Sequence, residues 1–170
     1  MNLTYRKLTA ADSIAYREIR LESLKLHPES FGTSFEEQKD LPQLRFQKTL
    51  EEPETAKFLI GAFDQGGLIG ICGFVPFLLD ENIQLDKVGT IVQMYVKASH
   101  RGHKVGLNLI NAVVEEALKQ KDIEQIILEV WDENISAIRV YEQAGFHLYT
   151  LQDYALEGYT DSILMLLAGE

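Results

Sequence analysis

Two short stretches of the chain hold side chains and glycines whose types and spacing suit chemistry. The first reads Arg101-Gly102-His103-Lys104-Val105-Gly106 and lies between an apolar run ending near Val96 and a helical pattern beginning near Lys104. A helix start has unpaired N–H groups and a partial positive charge, so it binds phosphate oxygens where small residues let a ligand reach the backbone. Gly102 and Gly106 permit that approach, and Arg101 and Lys104 add cations within reach of a diphosphate or a ribose phosphate. On these six residues alone, a turn at Gly102 and close helix–sheet packing at Gly106 fit equally well. A nucleoside-triphosphate loop requires G-x-x-x-x-G-K-[ST]. Here three residues separate the glycines and Leu107 follows the second, which excludes that chemistry.

The second stretch runs from Asn134 to Phe146, with Ala137, Tyr141 and Gly145 between. Asn134 and Tyr141 are seven positions apart, almost two helical turns, so both project from one face and can flank one ligand. Each also has a structural explanation. Asn134 can cap the helix, Tyr141 can pack in the core, and Gly145-Phe146 can be a helix stop followed by a strand anchor. His27, His100, His103 and His147 titrate in a useful range, yet no pair has the spacing of metal ligands on a helix. Cys72, the single cysteine, lies in the apolar run Ile69–Val75, where a thiol behaves as a small hydrophobe.

Positioning these groups requires a strand that runs into the glycine loop and a helix that leaves it. Val88–Val96 predicts the strand, and Lys104–Lys121, with Leu107, Ile110, Val114, Ala117 and Leu118 at helical spacing, predicts the helix. Gln125–Trp131 reads as a second buried strand, Asn134–Ala144 as a short helix, and Phe146–Tyr154 and Tyr159–Leu167 as closing strands. Upstream, Leu3–Leu8 alternates as a strand. Thr9 can cap a helix over Ala10–Leu26, which His27-Pro28 ends. Residues Glu29–Pro53 read as loop with short helices near Phe35–Lys39 and Gln43–Leu50. Lys57–Phe63 and Leu68–Phe77 form a hairpin across Asp64-Gln65-Gly66-Gly67, and Asp80–Asp86 is a polar break.

A chain of 170 residues with 46% hydrophobic content predicts one domain with a sizeable core. Acidic residues outnumber basic ones by 26 to 16, which argues against general affinity for nucleic acid or anionic membrane and fits an aminated ligand better. One cysteine rules out an intramolecular disulfide. With no leader pattern at Met1–Lys7 and no apolar run of membrane-spanning length, a cytoplasmic location is expected.

Together, the Arg101–Gly106 loop and the Asn134–Phe146 segment resemble the two hallmarks of the GNAT superfamily of acyl-CoA-dependent N-acyltransferases. The likeness is strongest from Met94 to Phe146 and extends to the opening strand, helix and hairpin. It implies a single N-acetyltransferase domain over residues 1–170, of α/β class, whose mixed central sheet of six to seven strands is flanked by helices. The two strands around the coenzyme would splay apart, between Val88–Val96 and Gln125–Trp131. It also implies acetyl-CoA as cosubstrate, no metal, and an amine acceptor, and dimers among relatives make a homodimer an expectation. Carried over by position, Met94 and Val96 would offer backbone groups to the pantetheine arm, and an N–H near Met94 would polarise the thioester carbonyl. Arg101, Gly102, His103, Lys104, Val105 and Gly106 would hold the diphosphate, Asn134 would flank the coenzyme, and Tyr141 would protonate the leaving thiolate.

Two positions depart from the family pattern. Lys104 stands where glycine is usual and is expected to take helical dihedrals, and Gln93 stands where many relatives place a glutamate base. These departures raise the alternative of a non-catalytic acetyl-CoA sensor or partner-binding domain; a plain α/β interaction domain is a third reading. Glu129 is a speculative substitute base that also reads as a solvent-facing charge. The segment His27–Gly32 looks like one found in some bacterial members and also reads as an ordinary loop with Phe31 tucked inward, and no code in the sequence names the acceptor.

Overall fold

The computed structural model describes residues 1–52, 56–78, 83, 85–150 and 161–168. Strand β1 (Leu3–Lys7) leads through a 3-10 turn at Ala10–Asp12 into helix α1 (Ser13–Leu26), followed by a turn at Pro28–Ser30 and short helices α2 (Phe35–Gln38) and α3 (Arg45–Glu51). Then come β2 (Phe58–Asp64), β3 (Gly67–Val75), β4 (Val88–Val96), α4 (Val105–Ala117), β5 (Gln125–Trp131), α5 (Ile135–Gln143), β6 (His147–Tyr149) and β7 (Ser162–Ala168). These form one seven-stranded mixed sheet in the order β1-β2-β3-β4-β5-β7-β6. Among the described strands only the β4–β5 pair is parallel, and α4 makes its crossover.

Both faces of the sheet are covered, which is why β2 and β3 read as nearly continuous apolar runs. Along β2, Phe58, Ile60 and Ala62 enter the core with α4 and α5, whereas Leu59 and Phe63 enter the core with α1 and α3. The β2–β3 connection turns on Gln65 and Gly66, with φ of 50° and 85°, the pair of left-handed residues a tight hairpin demands. Cys72 is fully buried in the α4 core, and desolvation raises its thiol pKa well above the ordinary range, so it is an inert hydrophobe.

Several sequence-based boundaries shift. Thr9 precedes a 3-10 turn rather than the α-helix itself: the Asp12 carboxylate accepts from the Thr9 N–H at 2.8 Å and the Thr9 hydroxyl at 3.2 Å. Helix α4 stops at Ala117, four residues short of Lys121. Its buried stripe is Val105, Leu109, Ile110, Val113 and Ala117; Leu107 and Val114 sit at the margin of that stripe and Leu118 is exposed. Residues 151–160, which include parts of both expected closing strands, lie outside the described residues, as do 80–82 and 84 of the polar break.

Candidate active site

Strands β4 and β5 pair at three positions only, Val88 with Gln125, Gly89 with Ile126 and Thr90 with Ile127. Beyond Thr90 they part: β4 continues along β3, with Ile71 opposite Tyr95 and Gly70 opposite Val96, while β5 continues along β7. The expected splay is therefore present, and it leaves one edge of Ile91–Val96 unpaired among the described residues. The register fixes which groups face the opening. Lys97 N–H donates to the Ile69 carbonyl at 2.9 Å, so by alternation Tyr95 faces β3 and the backbone groups of Met94 and Val96 face the gap. A chain laid into that gap can add itself to β4 as a strand does. The Val96 carbonyl already accepts from Arg101 Nε at 3.1 Å, using one of its two lone pairs.

Between Val92 and Met94 the strand bulges at Gln93, whose φ is +57°. A non-glycine residue in that region carries local strain and re-aims the strand. Gln93 turns to the α1 side, where its Oε1 accepts from the Tyr16 hydroxyl at 2.7 Å. Burial pushes the Tyr16 phenol up to about 12, so it stays a donor. Nothing in the sequence signalled this bulge.

At the end of β4, a 3-10 turn at Ala98–His100 delivers the chain to the glycine loop. Gly102 has φ +81°, and a Cβ built there would meet no atom within 4 Å, so the backbone path requires glycine and the space beside it is open. His103 Nδ1 lies 3.0 Å from the Arg101 carbonyl and braces the loop. Lys104 is the N-cap of α4 at φ 59°, ψ 14°, and makes no side-chain cap bond. The expectation of right-handed helical dihedrals at Lys104 is thus corrected. The position is left-handed, which explains why glycine suits it and why lysine there is strained.

The first turn-closing bond of α4 runs from Asn108 N–H to the Lys104 carbonyl, which leaves the N–H groups of Val105, Gly106 and Leu107 without an intrahelical acceptor. A Cβ on Gly106 would come 3.4 Å from Met94 Cε and 3.7 Å from Val140 Cγ1, ordinary contacts, so packing alone does not demand glycine there. The arrangement is an uncapped helix start beside an open glycine, at the mouth of a splayed strand pair, and it fits a diphosphate carrying a long polar arm. Arg101 points elsewhere: besides Val96, its Nη2 lies 3.0 Å from His27 Nε2, tying the loop to the end of α1.

Across the gap, Asn134 caps α5 by accepting from Ala137 N–H at 3.2 Å, and its Oδ1 also accepts from the Ser136 hydroxyl at 3.2 Å. Its carboxamide N–H groups have no acceptor among the described residues to compete with a ligand. Asn134 precedes the helix, so the one-face geometry inferred from its spacing to Tyr141 applies only loosely. Tyr141 is 6% exposed, packs edge-on to Phe146 with centroids 6.1 Å apart, and belongs to the same core as Met94 and Val96. Its hydroxyl makes no hydrogen bond to a described residue. Desolvation, with a smaller contribution from the Cys72 thiol, raises its pKa well above the ordinary phenol value, so it remains protonated. Glu129 is exposed on β5, as its solvent-facing reading expects. On the α1 side, Glu22 accepts from the Tyr95 hydroxyl at 2.8 Å and lies 3.7 Å from Lys97, a cluster the sequence did not reveal because its members are far apart along the chain.

A mixed sheet splays beside an uncapped helix start, with a buried tyrosine in the adjoining core, in a chain of α/β class. Residues 18–146 match the family model for the acetyltransferase (GNAT) family, and the chain belongs to that family. It is an N-acetyltransferase with acetyl-CoA as donor. Solved structures of similar fold include an acetyltransferase of the GNAT family from Streptococcus pneumoniae, at TM-score 0.77 and 17% identity over 98% of this chain and 99% of that one. Another is yncA, a putative acetyltransferase from Salmonella typhimurium with its cofactor acetyl-CoA, at TM-score 0.74 and 17% identity over 100% and 95%. A third, the paia N-acetyltransferase from Thermoplasma acidophilum in complex with coenzyme A, has TM-score 0.73 and 18% identity over 99% of each chain. Among the described residues no group of His, Cys, Asp or Glu is placed to hold a metal ion, and no helix is long and apolar enough to cross a membrane.

Proposed function

We propose that residues 1–170 act as one catalytic domain that passes the acetyl group of acetyl-CoA to a primary amine of a small molecule, polyamine or peptide by direct attack. The observation that carries this reading is the free edge of β4 ending at the uncapped start of α4, with Tyr141 in the adjoining core. In it, the N–H groups from Gly102 to Leu107 hold the diphosphate, with Lys104 adding charge, and the Met94 and Val96 backbone orients the pantetheine arm. The N–H near Met94 polarises the thioester carbonyl, and Asn134 flanks the coenzyme through its carboxamide. Tyr141 gives its proton to the sulfur as the carbon–sulfur bond breaks and the carbon–nitrogen bond forms, and the proton that the attacking nitrogen sheds passes to solvent, which restores the phenol.

Gln93 cannot accept a proton, and Glu129 is exposed on β5, so no carboxylate is assigned as base. The amine then enters neutral, having lost its proton to solvent. A cytoplasmic location belongs to the same reading, since a reduced Cys72 and a coenzyme A donor suit it.

Thermal denaturation with coenzyme A tests the site, because ligand at ~100 times its dissociation constant adds about 2.7 kcal/mol. Thiol release from acetyl-CoA across a panel of amines then tests the reaction. Binding without release from any amine would favour the sensor reading that Lys104 and Gln93 raise.

A further inference from the structure

Arg20 is buried with no hydrogen-bond or ion-pair partner for its side chain among the described residues. It lies one helical turn after Tyr16 on the face of α1 that carries Tyr16, Ile19, Ser23 and Leu24 against the sheet, and it is 6% exposed. Its Nη1 is the buried side-chain nitrogen or oxygen that lacks a hydrogen-bond partner among the described residues. The contrast with other arginines is direct: Arg6 is forked onto Asp12, Arg17 holds Gln47 and two backbone carbonyls, and Arg101 holds Val96 and His27. For Arg20 the near neighbour is the Phe31 ring, with Cζ 4.6 Å from its centroid. Desolvation lowers its pKa from the ordinary value, but a guanidinium stays charged at any physiological pH. A buried unpaired cation costs stability, and such a cost persists where the charge serves binding.

The position of Arg20 indicates what it serves. The Tyr16 phenol feels its charge, and that same phenol donates to Gln93 in the β4 bulge next to Met94. The buried face of α1 that carries Arg20 therefore also carries the tyrosine that reaches the strand where the thioester is proposed to lie. Resting on that proposed site, we infer that Arg20 and Phe31 bind the carboxylate of the acceptor, which is accordingly a small amino carboxylate and not a simple polyamine. One planar guanidinium matches one carboxylate in a two-pronged contact. A phosphate dianion asks for more cationic charge than this face offers in a chain of net charge −10. Glu22, also on α1, is already engaged with Tyr95 and Lys97 and does not neutralise Arg20. The His27–Gly32 segment thereby gains a role, since its turn at Pro28–Ser30 brings Phe31 to the guanidinium.

The test compares the intact protein with Arg20→Met and Arg20→Lys by thermal denaturation, with and without coenzyme A. The ligands are a panel of N-acetylated amino acids, each matched to its neutral carboxamide. At least one free carboxylate should raise the wild-type melting temperature by about 3 °C or more over its carboxamide. Arg20→Lys should keep part of that shift and Arg20→Met should lose it, while Arg20→Met alone melts at or above the wild-type temperature, because it removes an unpaired buried charge and keeps an apolar stem. The inference is overturned if no carboxylate outperforms its carboxamide, if Arg20→Met retains the shift, or if Arg20→Met melts lower, which would mark the arginine as structural. Calorimetry with acetyl-CoA keeps the two readings apart. Equal heat of binding in all three proteins leaves the coenzyme site standing whatever the carboxylates do, and no heat in the wild type would sink that site instead.

Discussion

Tyr141 combines a buried ring, a hydroxyl bonded to no described residue and a pKa raised by desolvation, and each bears on its proposed role. A phenol that stays protonated is always ready to donate, but it is a weaker acid than usual, so its contribution depends on being positioned at the sulfur. Tyr141→Phe should lower turnover about a hundredfold, with the dissociation constant for acetyl-CoA within about threefold of wild type, as read by steady-state kinetics and calorimetry. Folding stability should stay within about 1 kcal/mol, because no protein hydrogen bond is lost. The pH–rate profile follows from Gln93. With no base there, kcat/KM should climb about tenfold per pH unit toward the amine pKa near ~10.4, and the raised Tyr141 pKa places any descending limb above that. A plateau beginning near pH 6–7 would reveal an enzymic base. Among single residues, Tyr141, Asn134 and the glycines stand out as candidates because their spacing is itself the motif. Gln93 and Arg20 do not, since a left-handed bulge and an unpaired buried cation arise from tertiary contacts that no local pattern encodes.

Helices and strands carry two further tests. Lys104 opens α4 from a left-handed conformation that costs a side-chain-bearing residue about 1–2 kcal/mol. Lys104→Gly should raise unfolding free energy by about 0.5–1 kcal/mol, net of the entropy glycine adds to the unfolded chain, as measured by denaturant titration. At the β1–α1 junction, Asp12 accepts both prongs of Arg6 and the Thr9 N–H, and these bonds hold its carboxylate at about 2, below its ordinary 3.8. A depressed folded pKa means that the stabilisation is complete above pH ~4 and disappears as pH falls toward 2. Asp12→Asn should therefore cost about 1–2 kcal/mol at pH 7, allowing for the half-exposed Arg6, and almost nothing at pH 2. Element type was readable wherever a strict period met a stop signal: β4 and β5 fall on their expected residues, and His27-Pro28 ends α1. The face of α4 was read less well. Leu107, Val114 and Leu118 fit a helical stripe as well as Val105, Leu109 and Val113 do, and only the sheet beneath decides between them.

At the scale of the whole molecule, the proposed site lies where the sheet fails to close. Three parallel pairings hold β4 to β5 at one end, and past Thr90 each strand follows its other neighbour, which opens an edge directly before an uncapped helix. The family resemblance anticipated that splay, whereas strand periodicity alone gives no sign of where two strands will separate, because pairing partners lie far apart in sequence. The acceptor was illegible for a related reason: its candidate contacts come from α1 and Phe31, joined only by folding. The most direct measurement of the central claim is a crystal structure of the complex with coenzyme A. It should show diphosphate oxygens on the amides between Gly102 and Leu107, the pantetheine arm along Met94 and Val96, and the sulfur facing the Tyr141 hydroxyl. A coenzyme seated anywhere else, or a sulfur turned away from Tyr141, would contradict the account.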